Sequence, residues 1–153
     1  MKIVLISALI TTLIFFTGCA DGKEKISENV STQETEEITT KIKITVNGKI
    51  FDATLDDNES ARAFIEKLPL EVTMTELNGN EKYYRFNEDF PSNDKNVGKI
   101  STGDLMLYSS SYVVLFYKDF STSYSYTRLG KVLNVAELEK TLGNGNVKVK
   151  FER

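Results

Sequence analysis

A row of phenols and one guanidinium offers the clearest chemistry in this sequence. Within DFSTSYSYTRLG, residues 119–130, Tyr124, Tyr126 and Arg128 recur at every second position. Alternate residues of a β-strand point to the same face of the sheet, so these three side chains are predicted to share one face. Tyrosine rings give flat contact area and a guanidinium clamps carboxylates and carbonyls, which together indicate a ligand groove. We add Tyr84 and Arg85 to this candidate groove.

The alternative for the same stretch is an ordinary barrel strand. Its tyrosine rings would then pack against the protein while their hydroxyls reach water. Tyr84 and Arg85 would likewise serve only strand packing and surface charge. The sequence leaves both interpretations open.

The missing residue types exclude several kinds of site. The chain has no histidine and a single cysteine, Cys19. It therefore offers no imidazole as base or metal ligand and no internal disulfide. The run Ser109-Ser110-Ser111 has no histidine partner, so it does not indicate a catalytic triad. We predict no catalytic residue, no metal and no cofactor.

The net negative charge of the chain comes from the residues that precede its folded part. The 153 residues contain 22 acidic and 19 basic side chains, a net charge of −3. Six of the acidic and three of the basic residues precede residue 41, so residues 41–153 carry 16 of each. A neutral domain lacks the basic surface that binds nucleic acid, and we predict no nucleic-acid partner.

Residues 1–18 are typical of a signal peptide. Lys2 precedes a mostly apolar run of fourteen residues ending at Phe16, which is short for a membrane-spanning helix of about 20 residues. Thr17-Gly18-Cys19 then resembles the lipobox of bacterial lipoproteins, with Phe16 where the pattern usually has leucine. The resemblance implies cleavage before Cys19 and attachment of diacylglycerol to its thiol. The alternative is an uncleaved anchor helix with an incidental cysteine.

Residues 19–40 follow as an acidic segment with few apolar side chains, which predicts a flexible linker. Residues 41–153 contain the folded domain. Their patterns predict about eight short strands and two helices with no βαβ rhythm, hence a mainly β, closed barrel. The eight strands are predicted near residues 41–46, 51–55, 70–77, 82–86, 105–109, 112–118, 123–129 and 146–152, and the long loop 87–104 has room for a further short strand at 98–101.

Three local patterns give sharper expectations. The first helix has a capping box of Asp56 with Glu59, or Asn58 as an alternative cap. The run VVLFY, residues 113–117, does not alternate, which predicts a strand buried on both faces. The second helix is expected to begin at Asn134, with Glu137 as its reciprocal cap.

Three longer strings resemble the small bacterial group of cyclophilin-like proteins. They are LPLEVTMTELNGNEKYYRF (68–86), GKISTGDLMLYSSSYVVLFYK (98–118) and STSYSYTRLGKV (121–132). The resemblance implies an eight-stranded barrel capped by two helices, in agreement with the pattern of elements. Prolyl isomerases of this fold carry Phe-His-Arg and Gln-Gly-Gly-Asp strings, which are absent from this sequence. Only Tyr84-Arg85-Phe86 and Thr102-Gly103-Asp104 resemble them faintly.

These observations favour a lipoprotein tethered to a membrane outside the cytoplasm, on the cytoplasmic membrane or in the periplasm or outer membrane. Its barrel is predicted to act as a non-catalytic binding module for a peptide or small molecule. A divergent peptidyl-prolyl cis-trans isomerase is the alternative, since a donor aimed at the prolyl nitrogen lowers the barrier without a base. A third interpretation is a scaffold with no small ligand, held by its tether near another envelope protein.

Overall fold

A computed structural model describes residues 40–153. The predicted signal peptide, Cys19 and the linker up to residue 39 lie outside the described residues. The strands are β1 (Thr40–Val46), β2 (Lys49–Leu55), β3 (Leu70–Leu77), β4 (Glu81–Arg85), β5 (Lys95–Asn96), β6 (Lys99–Ile100), β7 (Asp104–Tyr108), β8 (Tyr112–Phe116), β9 (Phe120–Ser121), β10 (Ser125–Val132) and β11 (Val147–Glu152). The helices are α1 (Glu59–Ile65) and α2 (Leu138–Leu142).

Eight of the strands form one closed antiparallel barrel, which confirms the predicted fold class. Their order is β2-β1-β11-β3-β4-β8-β7-β10, and β10 closes the barrel by pairing with β2. At this seam Gly130 lies opposite Leu55, and an ideal Cβ on Gly130 would stand 2.0 Å from the Thr54 carbonyl oxygen. Only glycine fits this approach of two backbones.

The barrel interior is filled by apolar side chains from the eight barrel strands and from both helices. Phe64 of α1 is fully buried and meets Phe151 of β11 edge to face, with ring centroids 5.4 Å apart. Leu138 and Leu142 of α2 are buried in the same core. Burial of such side chains is the main contribution to stability in a domain of this size. No helix of residues 40–153 is long and apolar enough to cross a bilayer.

A second apolar cluster lies on the outer face of the barrel. It contains Ile100, Met106, Val114, Phe116 and Tyr126. Strand β8 therefore has core on both sides: its odd-numbered residues face inward and its even-numbered residues belong to the outer cluster. This confirms the prediction made from the unbroken apolar run of residues 113–117.

The two helix starts differ in how well the sequence predicts them. Asn58 is the cap of α1, because its Oδ1 accepts a hydrogen bond from the Ala61 amide at 2.8 Å. The expected start of α2 at Asn134 is wrong, since that helix begins at Leu138. The Glu137 carboxylate pairs with Lys49 of β2 and makes no capping hydrogen bond, so the reciprocal cap does not form.

Candidate functional site

An aromatic cavity of about 550 Å³ opens on the outer face of the barrel, beside the outer cluster. Six aromatic side chains line it, together with the carboxyl of Glu81 and the amide of Asn80. We call this site the aromatic cavity. The six aromatic residues are Tyr83, Tyr108, Tyr112, Phe120, Tyr124 and Tyr126.

Strand alternation and register explain why these rings meet. On β4, residues 81, 83 and 85 point outward, while Tyr84 packs against the inner core. Tyr108 at the end of β7 lies opposite Tyr112 at the start of β8, and Tyr83 lies opposite Val114. Side chains directly opposite each other in an antiparallel pair are close neighbours, so three strands deliver their aromatic residues to one patch.

Tyr108 is the centre of the aromatic cavity. Its ring centroid lies 6.1 Å from that of Tyr124, 5.5 Å from that of Tyr126 and 6.2 Å from that of Tyr112. The rings of Tyr108 and Tyr124 stand at 84° to each other, so they form two walls of a corner. Such edge-to-face pairs are favourable in themselves. Both residues remain partly accessible, because Tyr108 is 37% exposed and Tyr124 is 62% exposed.

Among residues 40–153, Glu81 is the only charged residue that lines the aromatic cavity. Its side chain is buried, with the residue 9% exposed. Burial raises the pKa of Glu81 to about 7, and the negative charge of Glu76 adds to the rise. Burial raises the pKa of Tyr126 to about 12, and the negative charge of Glu81 adds to the rise. The two groups therefore share one electrostatic environment.

The outer wall of the aromatic cavity is the segment from Phe120 to Tyr124. The Asp119 carboxylate holds its start, accepting hydrogen bonds from the Thr102 amide at 2.7 Å and the Thr102 hydroxyl at 2.8 Å. These bonds lower the pKa of Asp119. The Thr122 amide donates to the Gly98 carbonyl at 3.0 Å, and β9 pairs with β6. The wall is thus hydrogen-bonded to the loop between β5 and β7.

The structure brings only two of the five sequence-predicted groove residues into the aromatic cavity. Tyr124 and Tyr126 line it. Tyr84 points into the barrel, where its ring meets Phe86 at 4.9 Å. Arg85 is exposed and its guanidinium carbon lies 5.7 Å from the centroid of the Tyr112 ring, but Arg85 itself is not in the lining. A binding role for these residues stays a prediction.

The fifth residue, Arg128, lies in a neighbouring polar cavity of about 690 Å³. Its Nε is 3.2 Å from Asp56 Oδ2. Its carbonyl accepts a hydrogen bond from the side chain of Asn58 at 2.9 Å. Arg128 thus ties β10 to the residues before α1, and Tyr126 alone borders both cavities. Residues 40–153 contain no group of three His, Cys, Asp or Glu side chains placed to hold a metal ion.

The sequence of the barrel matches a known family. The model of the Cyclophilin-like family covers residues 44–152, which is most of the chain and nearly all of the described part. The chain belongs to the cyclophilin-like family. No curated protein matches it.

Solved structures share the cyclophilin-like fold at low sequence identity. The solution structure of the hypothetical protein AF2241 from Archaeoglobus fulgidus is 17% identical, with a TM-score of 0.54 over 78% of this chain and 98% of that one. The structure of McbB in complex with tryptophan is 15% identical, with a TM-score of 0.52 over 73% of this chain and 44% of McbB. This chain therefore corresponds to less than half of McbB.

Sequence reasoning missed several residues of the aromatic cavity in this cyclophilin-like barrel. A usable signal was the two-sided burial predicted for β8, because a strand with core on both faces implies a second cluster outside the barrel. Outward positions of the neighbouring strands would then be searched for aromatic residues. The residues missed are Glu81, Tyr83, Tyr108, Tyr112 and Phe120.

Proposed function

We propose that this protein is a membrane-tethered lipoprotein whose cyclophilin-like barrel binds a ligand in the aromatic cavity without catalysis. The observation that carries the binding role is the lining of the cavity. Six aromatic side chains and a single buried carboxyl converge on a volume of about 550 Å³. The rest of the lining adds polar groups from Asn78, Asn80 and residues 121–123. Cavities of this size that combine aromatic walls with polar groups are typical of sites for small molecules or short peptide segments.

The composition of the lining favours binding over prolyl isomerisation. The isomerase alternative depends on a donor that reaches the prolyl nitrogen. Among residues 40–153, no arginine or lysine lines the aromatic cavity, so the donors available there are uncharged amides and hydroxyls. Arg85 stacks on Tyr112 and Arg128 pairs with Asp56, so each guanidinium has a different partner.

The tethering part of the proposal rests on the sequence. Cys19 follows Thr17-Gly18 after a run typical of signal peptides, and a diacylglycerol on this thiol would hold the barrel outside the cytoplasm. A diacylglycerol carries two acyl chains, which together anchor a protein stably, whereas a single acyl chain binds a membrane only weakly. The barrel then meets ligands on the outer side of a membrane.

The neighbour McbB was solved with tryptophan, so this fold also occurs in a protein that holds a small ligand. Tryptophan itself is not carried over to this chain, because 15% identity shares the fold alone.

A ligand screen with two matched variants tests the binding role. Thermal shift or NMR with a library of small molecules and short peptides should identify a ligand of the full chain in a non-ionic detergent. Tyr124→Ala should abolish its effect, whereas Leu133→Ala should not. The two side chains are similarly exposed, at 62% and 57%, and Leu133 is outside the aromatic cavity. Equal loss in both variants, or no ligand at all, would sink the binding role.

Two further assays test the remaining parts of the proposal. Cys19→Ser should abolish metabolic labelling by lipid and move the protein out of the detergent phase; unchanged partitioning would contradict the anchor. A proline-peptide isomerisation assay should show no acceleration by the protein. Acceleration lost in Tyr124→Ala would instead establish the isomerase alternative.

A further inference from the structure

The aromatic cavity has one sign of charge. Within the described part of the chain, Glu81 is the sole ionisable group of its lining other than the tyrosines. Residues 41–153 as a whole carry equal numbers of acidic and basic side chains. The negative bias of the cavity is therefore a local feature of the site and not of the whole domain.

The carboxyl of Glu81 has no donor of its own. No group of residues 40–153 forms a hydrogen bond that shifts its titration; burial and the charge of Glu76 are its only influences. The residue is only 9% exposed, and a carboxyl in such a site is costly to ionise without a compensating charge. A ligand bearing a positive charge in the cavity would supply the missing partner.

The aromatic rings offer the complementary half of such a site. A cation is attracted to the face of an aromatic ring within about 6 Å of its centroid. Among the six rings, Tyr112 already has the guanidinium of Arg85 over it. No cation from residues 40–153 lies over the other five, and the exposed Tyr108 and Tyr124 stand nearly perpendicular. The exposed parts of these two rings are where a positively charged ligand group would approach.

We propose that the aromatic cavity selects a protonated amine carried on an apolar body. The ammonium group donates a hydrogen bond to the Glu81 carboxylate, and the apolar body packs in the corner formed by the rings of Tyr108 and Tyr124. This inference rests on the proposed function, since it names the class of ligand for the same cavity.

Three probes of nearly equal size test the proposal on the full chain in a non-ionic detergent. They are 2-phenylethylamine, which is cationic at neutral pH, the neutral 2-phenylethanol and the anionic 3-phenylpropionate. NMR titration should show that the amine binds at least about ten-fold more tightly than the alcohol, as a charged hydrogen bond implies. The carboxylate should not bind. Equal affinity for amine and alcohol would overturn the proposal.

Two pairs of variants separate the carboxyl from the rings. Glu81→Gln should weaken the amine about ten-fold and leave the alcohol unchanged, whereas Glu71→Gln, at an exposed carboxyl outside the cavity, should change neither. Tyr124→Leu should weaken the amine about three-fold, while Tyr124→Phe, which keeps the ring face, should not. Unchanged amine binding in Glu81→Gln would also overturn the proposal.

The outcomes keep this inference apart from the proposed function. The amine can bind no more tightly than the alcohol while the ligand screen finds another ligand whose binding needs Tyr124. In that case the binding role stands and the amine preference is wrong. If neither the probes nor the screen produce a ligand, both fall together.

Discussion

The ammonium group of Lys82 is completely buried and forms an ion pair with the carboxylate of Glu76. Its Nζ also donates to the carbonyls of Gly143 and Gly145, each at 2.8 Å. Glu76 in turn accepts from the Tyr117 hydroxyl at 2.7 Å. Burial works to raise the pKa of Glu76, but the hydrogen bonds from Lys82 and Tyr117 leave it lowered. A network of charges thus fastens β3 and β4 to the turn between α2 and β11.

Removing Lys82 should therefore be costly. Lys82→Ala leaves the Glu76 carboxylate and two carbonyls without their donor, and we expect the free energy of unfolding to fall by about 3–5 kcal/mol. Urea denaturation measures this. The matched control is Lys148→Ala, whose ion pair with Glu71 is exposed and should contribute about 1 kcal/mol or less. Similar losses in the two variants would contradict the structural role of Lys82. The double change Lys82→Met with Glu76→Gln should recover part of the loss, because it removes both charges together.

Glu81 should make stability depend on pH near neutrality. Its pKa is raised from 4.5 to about 7 in the folded protein, so between these values the folded state holds a proton that the unfolded state has lost. Stability should therefore fall as pH rises from about 4.5 to about 7 and then level off. The chain has no histidine to obscure this interval. Melting temperatures measured across this pH range should no longer show this fall in Glu81→Gln and should still show it in Glu71→Gln. An identical profile for wild type and Glu81→Gln would refute the assignment of the fall to Glu81.

Gly130 should tolerate no side chain. A Cβ at this position would meet the Thr54 carbonyl oxygen at 2.0 Å and the Leu55 Cα at 2.8 Å, both of them backbone atoms. Gly130→Ala must push β10 away from β2, and we expect a loss of at least about 1–3 kcal/mol in urea denaturation. Gly145→Ala is the control, because nothing lies within 4 Å of its Cβ. If Gly130→Ala is as stable as Gly145→Ala, the seam is looser than the structure indicates.

Arg128 should matter little to a ligand in the aromatic cavity. Its side chain is about half exposed and its ion pair with Asp56 measures 3.2 Å. We expect Arg128→Ala to cost about 1 kcal/mol or less in stability and to leave affinity for the cavity ligand unchanged. The groove predicted from the sequence requires instead that affinity fall by about 1.5–3 kcal/mol. Titration of the ligand against Arg128→Ala and Tyr124→Ala distinguishes the two.

The sequence predicts the barrel well because most of its strands carry their own signals. The alternation in residues 41–46 and 146–152, the Asn-Gly turn at 47–48 and the unbroken run in 113–117 each indicate one structure. The start of α2 was missed for a physical reason. Glu137 matches a capping pattern, but its carboxylate pairs with Lys49, which lies far away in the sequence.

The site was only half predictable because alternation does not say which face is outward. Tyr83 and Tyr84 are adjacent and both aromatic, and both faces of the sheet are apolar there. The sequence therefore gives no reason to choose Tyr83 for the cavity. Arg128 shares the outer face with Tyr126, as the alternation implies, but its partner Asp56 holds it in the neighbouring cavity.

The floor of the aromatic cavity is the outer face of the barrel sheet. At β8 the inner face of the same strand packs against the barrel core. Val114 belongs to the outer cluster while Val113 and Leu115 belong to the inner one. Mutations that reshape the floor thus act on folding and on recognition at once, and selection for a stable barrel limits them. The wall from Phe120 to Tyr124 carries fewer buried side chains. New ligand preferences are therefore expected to evolve in this wall, while the strands beneath it change slowly.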